Sequence, residues 1–306
     1  MQKRILIVGI HGFLGNALGQ FFKRKNREYT VYGIALRPQK NERNVFSCDL
    51  NHSRPLEKIL LRVKPGYIFN LAGGMAPTPK KLLSSNFYAT LSLLEAIKKA
   101  GLKSRIIIPG SAAEYGCIHG QRLITEKSLP QPLGWYGFVK LLQTQLGIFY
   151  ARQGLDVVVV RMFNICGAGT PSKLAIGEFA RQIVAIERGS RAVIKTKSLN
   201  DKRDFCDIED ACRGLWMIAQ QGKSGEIYNL CSGRALTMRV ILQKMLRYSK
   251  SKGIRIQENR QDASFNFDSV GSNAKLKSVM PWLMRVSLER SLKNTLNSYR
   301  RKPALT

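Results

Sequence analysis

The sequence predicts an α/β fold with a parallel sheet at its centre, and three observations support this prediction. Short apolar runs at 4–8, 105–108 and 156–161 are typical of parallel strands that are buried on both faces. Amphipathic helical patterns alternate with these runs along the chain. The chain has 306 residues, of which 44% are hydrophobic, so it can bury a substantial core. We expect a doubly wound parallel sheet with a smaller α/β C-terminal lobe.

The first strand, over 4–8, runs directly into a glycine turn with the spacing Gly-x-x-Gly-x-x-Gly. A helical pattern over 16–24 follows the turn. Glycines at such a turn let backbone N–H groups approach a pyrophosphate at the helix N-terminus. The order of strand, turn and helix therefore predicts a dinucleotide-binding Rossmann domain. The turn residues expected at the coenzyme are Gly9, Gly12, Phe13, Leu14 and Gly15.

The end of the second strand, predicted over 30–36, indicates which coenzyme binds. NAD sites usually place an Asp or Glu about 20 residues after the glycines, where it binds the ribose 2′-hydroxyl. Here Arg37 follows the strand and no acid is present, so NADPH is favoured, with NADH as the alternative. Further on, Asp49 and Leu50 end a short stretch, and Asp49 is expected to accept a hydrogen bond from the adenine amino group.

The rest of the predicted domain continues as strands and helices. Residues 67–74 read as a strand that runs into a glycine turn, and 86–100 as a helix. The strand over 105–108 delivers Ser111 at its C-terminal end, where open α/β sheets bind ligands.

Tyr136 and Lys140 are four residues apart, which places both on one face of a helix. A phenol has a pKa of about 10 in water, so it exchanges a proton near neutral pH only when its phenolate is stabilised. We expect the Lys140 ammonium to lower the pKa of Tyr136, and Ser111 to hold the substrate oxygen. The three groups together can protonate a carbonyl oxygen while a nicotinamide delivers hydride. Taken alone, the pair also fits an ordinary amphipathic helix.

Charge and cysteine content narrow the remaining function classes. The chain has 50 Lys and Arg against 20 Asp and Glu, a formal net charge of +30. The basic residues are spread over the chain without interleaved aromatics, so nucleic acid is not the favoured partner. A non-catalytic protein that binds RNA or another polyanion stays an alternative. The six cysteines include no Cys-x-x-Cys pair and there are three histidines, so we expect buried thiols and no metal site.

No signal peptide is recognised before the first strand, and no apolar run approaches the roughly 18 residues that span a bilayer. We therefore expect a cytoplasmic protein.

Seven motifs follow one another along the chain: Gly9-x-x-Gly12-Phe13-x-Gly15, Leu71-Ala72-Gly73, Asn86, Ser111-Ala112-Ala113-Glu114-Tyr115-Gly116, Tyr136-x-x-x-Lys140, Arg161-Met162-Phe163-Asn164 and Arg203-Asp204-Phe205. In this order they resemble the extended short-chain dehydrogenase/reductase family, whose members act on nucleotide sugars. The match covers nearly the whole chain. Members commonly form homodimers through two helices of each subunit.

The resemblance implies roles for individual residues. The implied catalytic residues are Ser111, Tyr136 and Lys140. The implied coenzyme contacts are Gly9, Gly12, Phe13, Leu14, Gly15, Arg37, Asp49, Leu50, Leu71, Ala72, Gly73, Asn86, Tyr136 and Lys140. The implied substrate contacts are Ser111, Ala112, Asn164, Arg181, Arg203 and Arg260, with a solvent-facing helix residue as the alternative for Arg181. We expect the Rossmann domain at 1–163 with a return at about 200–221, and a nucleotide-sugar-binding lobe at 164–199 and 222–306.

Within the family, segments 179–183 and 203–233 are similar to GDP-4-keto-6-deoxymannose reductases and GDP-mannose 4,6-dehydratases. A dehydratase needs a carboxylate one or two positions after the catalytic Ser or Thr, and this chain has Ala112 and Ala113 there. We therefore expect NADPH-dependent reduction of the C4 ketone of a nucleotide-linked 4-keto-6-deoxy-hexose. GDP-4-keto-6-deoxy-mannose is the favoured substrate, giving GDP-rhamnose or its C4 epimer for surface polysaccharide.

An NAD-retaining 4-epimerase is the alternative within the family. Two departures from the pattern stand out: Trp135 precedes Tyr136 where the family often has proline, and Asp262 replaces a second arginine near Arg260. Glu114 is expected to be structural.

Overall fold

A computed structural model of the protein describes residues 3–25, 28–39, 42–117, 123–259 and 268–303. Its centre is a parallel sheet of seven strands: β1 (Lys3–Val8), β2 (Tyr29–Ala35), β3 (Val45–Ser47), β4 (Tyr67–Asn70), β5 (Arg105–Ser111), β6 (Asp156–Met162) and β11 (Ile227–Leu230). The strand order is β11-β6-β5-β4-β1-β2-β3. This arrangement confirms the predicted doubly wound fold.

Helices cover both faces of the sheet, as the continuous apolar strands require. On one face, Ile5 and Ile7 join a core with helices α1 (Phe13–Lys23) and α7 (Ile208–Gln221). On the other, Leu6 and Val8 join a second core. The helices of that second face are α2 (Ser53–Val63), α4 (Ala89–Lys99) and α5 (Trp135–Arg152).

A third core belongs to a smaller lobe. Its helices are α6 (Ala175–Glu187), α8 (Met238–Leu246) and α10 (Leu288–Arg300), and its paired strands are β8 (Val193–Thr196) and β13 (Arg255–Glu258). Short pairs connect the lobe to the sheet: β7 (Asn164–Cys166) with β10 (Phe205–Asp207), and β9 (Lys202–Arg203) with β12 (Leu236–Thr237). The short helix α9 (Ala274–Val279) lies against β11.

The domain boundary differs from the expected one on one point. Residues 227–230 were assigned to the lobe, but β11 pairs with β6 at the edge of the central sheet. The return into the Rossmann layer therefore includes β11 as well as α7. The division into two domains otherwise stays a prediction.

The helix expected over 86–100 begins earlier than its pattern indicated. Thr78 accepts a hydrogen bond from the Lys81 N–H and caps α3 (Pro79–Leu82). A π-helical segment, Leu83–Tyr88, then joins α3 to α4. Asn86 lies inside this segment and does not begin the helix. The signal was present in the sequence, because a Thr at the N-cap followed by Pro is a helix start.

Two further features are absent from the described ranges. No helix there is long and apolar enough to cross a membrane. No group of three or more His, Cys, Asp or Glu side chains there is arranged to hold a metal ion.

Candidate active site

The glycine turn links β1 to α1 and has the geometry of a phosphate cradle. Gly9 has φ +80°, and a Cβ there would lie 2.8 Å from the Leu71 carbonyl oxygen. A Cβ at Gly15 would lie 2.1 Å from the Gly9 oxygen, so both positions require glycine. Gly12 is the N-cap of α1 and offers no side-chain cap to the first-turn N–H groups. These residues fit a dinucleotide, whose pyrophosphate those N–H groups can bind.

The neighbouring end of β2 carries a carboxylate that the sequence pattern did not indicate. Gly9 N–H donates to the Ile34 carbonyl oxygen at 2.9 Å, which holds the turn against β2. Arg37 follows β2 and is exposed, as expected. Glu42 accepts hydrogen bonds from the His11 ring, at 2.9 Å, and from the Gln39 N–H, at 2.9 Å. No acid follows β2 directly, as expected, but Glu42 stands beside the glycine turn through its contact with His11.

The contacts of Glu42 favour its ionised form. The backbone hydrogen bond from Gln39 and then the His11 contact lower the pKa of Glu42. An ionised Glu42 accepts, so the His11 ring nitrogen must donate.

The other expected coenzyme residues divide into exposed and buried positions. Asp49 is exposed and accepts from the Asn51 N–H at 3.0 Å, and this backbone bond lowers its pKa. Leu50 is buried in the core. Asn86 is also buried. Its side-chain oxygen accepts a hydrogen bond from the Gly74 N–H at 2.9 Å, and its side-chain nitrogen donates to the Gly74 carbonyl oxygen at 3.0 Å. It therefore fixes the loop of Leu71, Ala72 and Gly73 after β4.

The three expected catalytic residues lie on adjoining elements. Ser111 ends β5, and Tyr136 and Lys140 occupy the first turns of α5. The side chains of Ser111 and Tyr136 interact, and this interaction lowers the pKa of the phenol. The Ser111 hydroxyl also accepts from the Ala113 N–H at 3.2 Å. The pairing of phenol and serine hydroxyl at the C-terminal edge of the sheet forms a site that can hold one oxygen atom from two sides.

Lys140 does not act on the phenol in the expected way. Its ammonium donates to the Pro109 carbonyl oxygen and to Gln143 Oε1. Burial lowers the pKa of Lys140 to about 8. The pKa of Tyr136 is raised, mainly by burial and then by the charge of Glu114, while the interaction with Ser111 opposes the rise. The expectation that Lys140 lowers the pKa of this tyrosine was therefore wrong.

A buried ion pair lies directly behind the catalytic residues. Glu114 Oε2 accepts from Arg161 Nε at 2.7 Å, and both side chains are almost fully buried. Burial raises the pKa of Glu114, although Arg161 opposes this. Ala112 is also buried.

Three of the expected substrate residues, Asn164, Arg181 and Arg203, lie in or near the smaller lobe. Asn164 Nδ2 donates to the Asp204 carbonyl oxygen at 3.0 Å. Arg203 is ion-paired with Asp201 at 2.8 Å. Arg181 is half-exposed and paired with Glu178 on its own helix at 2.6 Å. Arg260 and Asp262 lie outside the described residues.

Arg203 also lines a cavity of about 1290 Å³. Four more cationic side chains line it, namely Arg234, Lys244, Lys277 and Arg285, with the carboxylate of Glu289. None of Ser111, Tyr136 and Lys140 belongs to its lining.

Comparison with known proteins identifies the family of the chain. The pattern of the Epimerase family, described as the NAD dependent epimerase/dehydratase family, matches residues 5–231. The chain belongs to the NAD dependent epimerase/dehydratase family. Membership confirms the resemblance inferred from the ordered motifs.

Relatives in this family cover nearly the whole chain. GDP-6-deoxy-D-mannose reductase of Pseudomonas aeruginosa is 25% identical over 308 residues, 98% of each chain. dTDP-6-deoxy-L-talose 4-dehydrogenase (NAD(P)(+)) of Kitasatospora kifunensis is 25% identical over 251 residues, 80% of this chain and 79% of its own. Among solved structures, RMD from Pseudomonas aeruginosa complexed with NADPH has a TM-score of 0.87 at 23% identity, covering 98% of this chain and 100% of its own. The likeness confirms the predicted fold class.

Proposed function

We propose that the protein uses NADPH to reduce the C4 ketone of a nucleotide-diphospho-4-keto-6-deoxy-hexose. The observation that carries this proposal is that Ser111 at the end of β5 and Tyr136 at the start of α5 lie on adjoining elements with interacting side chains. It is supported by a full-length relative that is a GDP-6-deoxy-D-mannose reductase. On that likeness we take GDP-4-keto-6-deoxy-mannose as the first substrate to test.

The protein residues supply the proton and orient the ketone. When bound, the reduced nicotinamide supplies the hydride, which carries two electrons to C4. Ser111 donates a hydrogen bond to the C4 oxygen, and Tyr136 transfers its hydroxyl proton to the same oxygen, so the ketone becomes an alcohol. Solvent then restores the proton to the phenolate, and Lys140, one turn further along α5, would hold the nicotinamide ribose.

The protonation state of Tyr136 suits a proton donor. A raised pKa keeps the phenol protonated near neutral pH, and a protonated phenol is the form that a reduction consumes. A 4-epimerase must first oxidise the sugar, which needs a phenolate as base.

Dehydration has no suitable acid or base among the residues after Ser111. Ala112 and Ala113 carry only methyl groups, and Glu114 is buried in its ion pair with Arg161. A carboxylate held in this way cannot shuttle a proton to the sugar.

NADPH is the coenzyme we propose, with NADH as the alternative. Arg37 lies exposed after β2, where an arginine accommodates a 2′-phosphate. A structural neighbour is described as complexed with NADPH. Glu42 near the glycine turn is the one observation that favours NAD, and with it an NAD-retaining 4-epimerase, as a second candidate function.

We assign the diphosphate of the substrate to Asn164 and Arg203, and we keep Arg181 and Arg260 as further expected contacts. Arginine suits this role because its planar fork matches phosphate oxygens. The cavity that Arg203 lines carries an excess of cations, which favours an anionic ligand. The expected homodimer stays a prediction. It is supported by three large apolar side chains that are exposed on α5, namely Trp135, Phe138 and Phe149.

The function is tested by incubating the protein with NADPH and a panel of GDP-, dTDP-, UDP- and CDP-linked 4-keto-6-deoxy sugars. Loss of absorbance at the nicotinamide band is expected with at least one sugar, and not with Tyr136→Phe. If no sugar consumes NADPH, while the protein binds heparin or RNA tightly at low salt and releases it at high salt, the polyanion-binding alternative is favoured.

A further inference from the structure

Glu114 is a fully buried carboxylate whose hydrogen bonds all go to elements of the catalytic site. Its Oε1 accepts from the Ser111 N–H at 2.7 Å and from Thr144 Oγ1 at 3.0 Å. Its Oε2 accepts from Arg161 Nε at 2.7 Å. These contacts occupy both oxygens, so the group is anchored on three sides.

The three anchors lie on β5, α5 and β6, which meet at the site. Ser111 is the last residue of β5, and Thr144 lies one helical turn beyond Lys140 on α5. Arg161 is on β6, the strand paired with β5. One carboxylate therefore sets the position of the strand end that carries the serine against the helix that carries the tyrosine and lysine.

The surroundings are built to hold the carboxylate in this place. A Cβ at Gly110 would lie 2.7 Å from Glu114 Oε1, so the strand leaves space for the carboxylate only by having glycine there. The Arg161 guanidinium stacks on the Tyr115 ring at 4.5 Å. The Tyr115 hydroxyl in turn donates to Asn229 Oδ1 at 2.7 Å.

Stability alone is a weak reason for such an arrangement. A buried ion pair is often no more stabilising than apolar residues of similar volume, because both charges lose their hydration. The charge of Glu114 does act on the catalytic groups, since it raises the pKa of Tyr136 and opposes the fall in the pKa of Lys140.

We propose that Glu114 is a positioning residue, which fixes the Ser111 backbone against α5 so that the Ser111 and Tyr136 hydroxyls meet at one substrate oxygen. Its charge has a second effect, which is to keep Tyr136 protonated as the donor and Lys140 charged. The inference rests on the proposed reductase function only for its kinetic test.

Three variants separate position from charge. Glu114→Gln keeps the length and removes the charge, but sets an amide N–H against Arg161. Glu114→Asp keeps the charge and shortens the reach by one methylene. Thr144→Val removes only the bond to α5. The matched control is Glu126→Gln, because Glu126 also accepts a backbone N–H, from Asn229 at 2.8 Å, without contacting Ser111 or α5.

The kinetic expectation is a loss in kcat without a comparable change in KM. For Glu114→Gln and Glu114→Asp we expect kcat to fall by about 10- to 100-fold, since a displacement of about 1 Å has that effect on reacting groups. Thr144→Val should lose several-fold less, and Glu126→Gln should match the wild type. A wild-type kcat in both Glu114 variants, with the fold intact by circular dichroism, would overturn the positioning role.

A titration that needs no substrate tests the charge effect independently of the proposed function. The ultraviolet absorbance of tyrosinate is followed against pH, and Tyr136 is isolated by subtracting the curve of Tyr136→Phe in each background. We expect the Tyr136 transition to move to lower pH in Glu114→Gln and to stay in place in Thr144→Val and Glu126→Gln. An unmoved transition in Glu114→Gln contradicts the inference, even if no keto-sugar is turned over. If Glu114→Gln does not fold, Glu114→Asp and Thr144→Val still test the positioning role by their kcat.

Discussion

Replacing Gly15 with alanine should disrupt the coenzyme site by a displacement that the structure specifies. The new Cβ would lie 2.1 Å from the Gly9 carbonyl oxygen and 2.9 Å from its carbon. Non-bonded heavy atoms are best separated by about 3.5–4.0 Å. The neighbouring atoms are backbone and cannot rotate away, so α1 must move off the glycine turn by at least about 1 Å.

This movement takes the N-terminus of α1 away from the position of the pyrophosphate. We expect the dissociation constant for NADPH to rise by about 10- to 100-fold, equivalent to about 1.4–2.8 kcal/mol of binding free energy. Isothermal titration calorimetry with the purified protein measures this directly. A thermal melt of the same sample shows whether the fold survives.

Gly19→Ala is the matched control on the same helix. A Cβ at Gly19 would meet the Ile10 side chain at 3.7 Å, an ordinary contact. Alanine there should leave NADPH binding unchanged and stabilise the protein by about 0.4–1 kcal/mol, because alanine restricts the unfolded chain. Wild-type NADPH affinity in Gly15→Ala would refute the assignment of this turn to the coenzyme.

Four further variants test separate parts of the site. Tyr136→Phe should lower kcat by at least about 100-fold with an unchanged NADPH dissociation constant, because only the proton donor is lost; near-normal turnover would exclude Tyr136 as the acid. Arg37→Asp should lower the NADPH/NADH affinity ratio, because the arginine attracts the 2′-phosphate of NADPH. Glu42→Gln should raise the same ratio, because the carboxylate of Glu42 repels that phosphate. If calorimetry gives an unchanged ratio for both variants, neither residue belongs to the coenzyme site. Wild-type stability against urea should rise between about pH 8 and 10.5, because the unfolded Lys140 binds a proton that the folded one has released. Lys140→Met should lack that part of the rise, and identical pH dependence in the two proteins contradicts the buried environment of the ammonium.

Much of the fold could be predicted because the deciding signals are local. The run from Ile5 to Val8 is apolar at every position, and the structure sends alternate side chains into two cores. The glycine turn was found from spacing alone, since only glycine fits where a Cβ would meet backbone. Ser111, Tyr136 and Lys140 were also predicted from local spacing, and the structure places them on the adjoining elements β5 and α5. Their catalytic roles stay predictions.

The parts that could not be predicted depend on contacts between distant residues. Glu42 contacts His11, which is 31 residues away in the sequence, so no local pattern near β2 predicts this contact. The partners of Lys140 are a backbone carbonyl and Gln143, which turn the ammonium in a direction that helix spacing does not specify. Glu114 reads as an ordinary residue until its bonds to β5, α5 and β6 are seen.

The most direct test of the proposed reaction is to follow deuterium from NADPH labelled at the transferable position of the nicotinamide. With a 4-keto-6-deoxy sugar nucleotide as substrate, we predict one deuterium on C4 of the product for each NADPH consumed, detected by mass spectrometry and NMR. Sugar conversion without net NADPH consumption, or product with no deuterium at C4, would contradict the account.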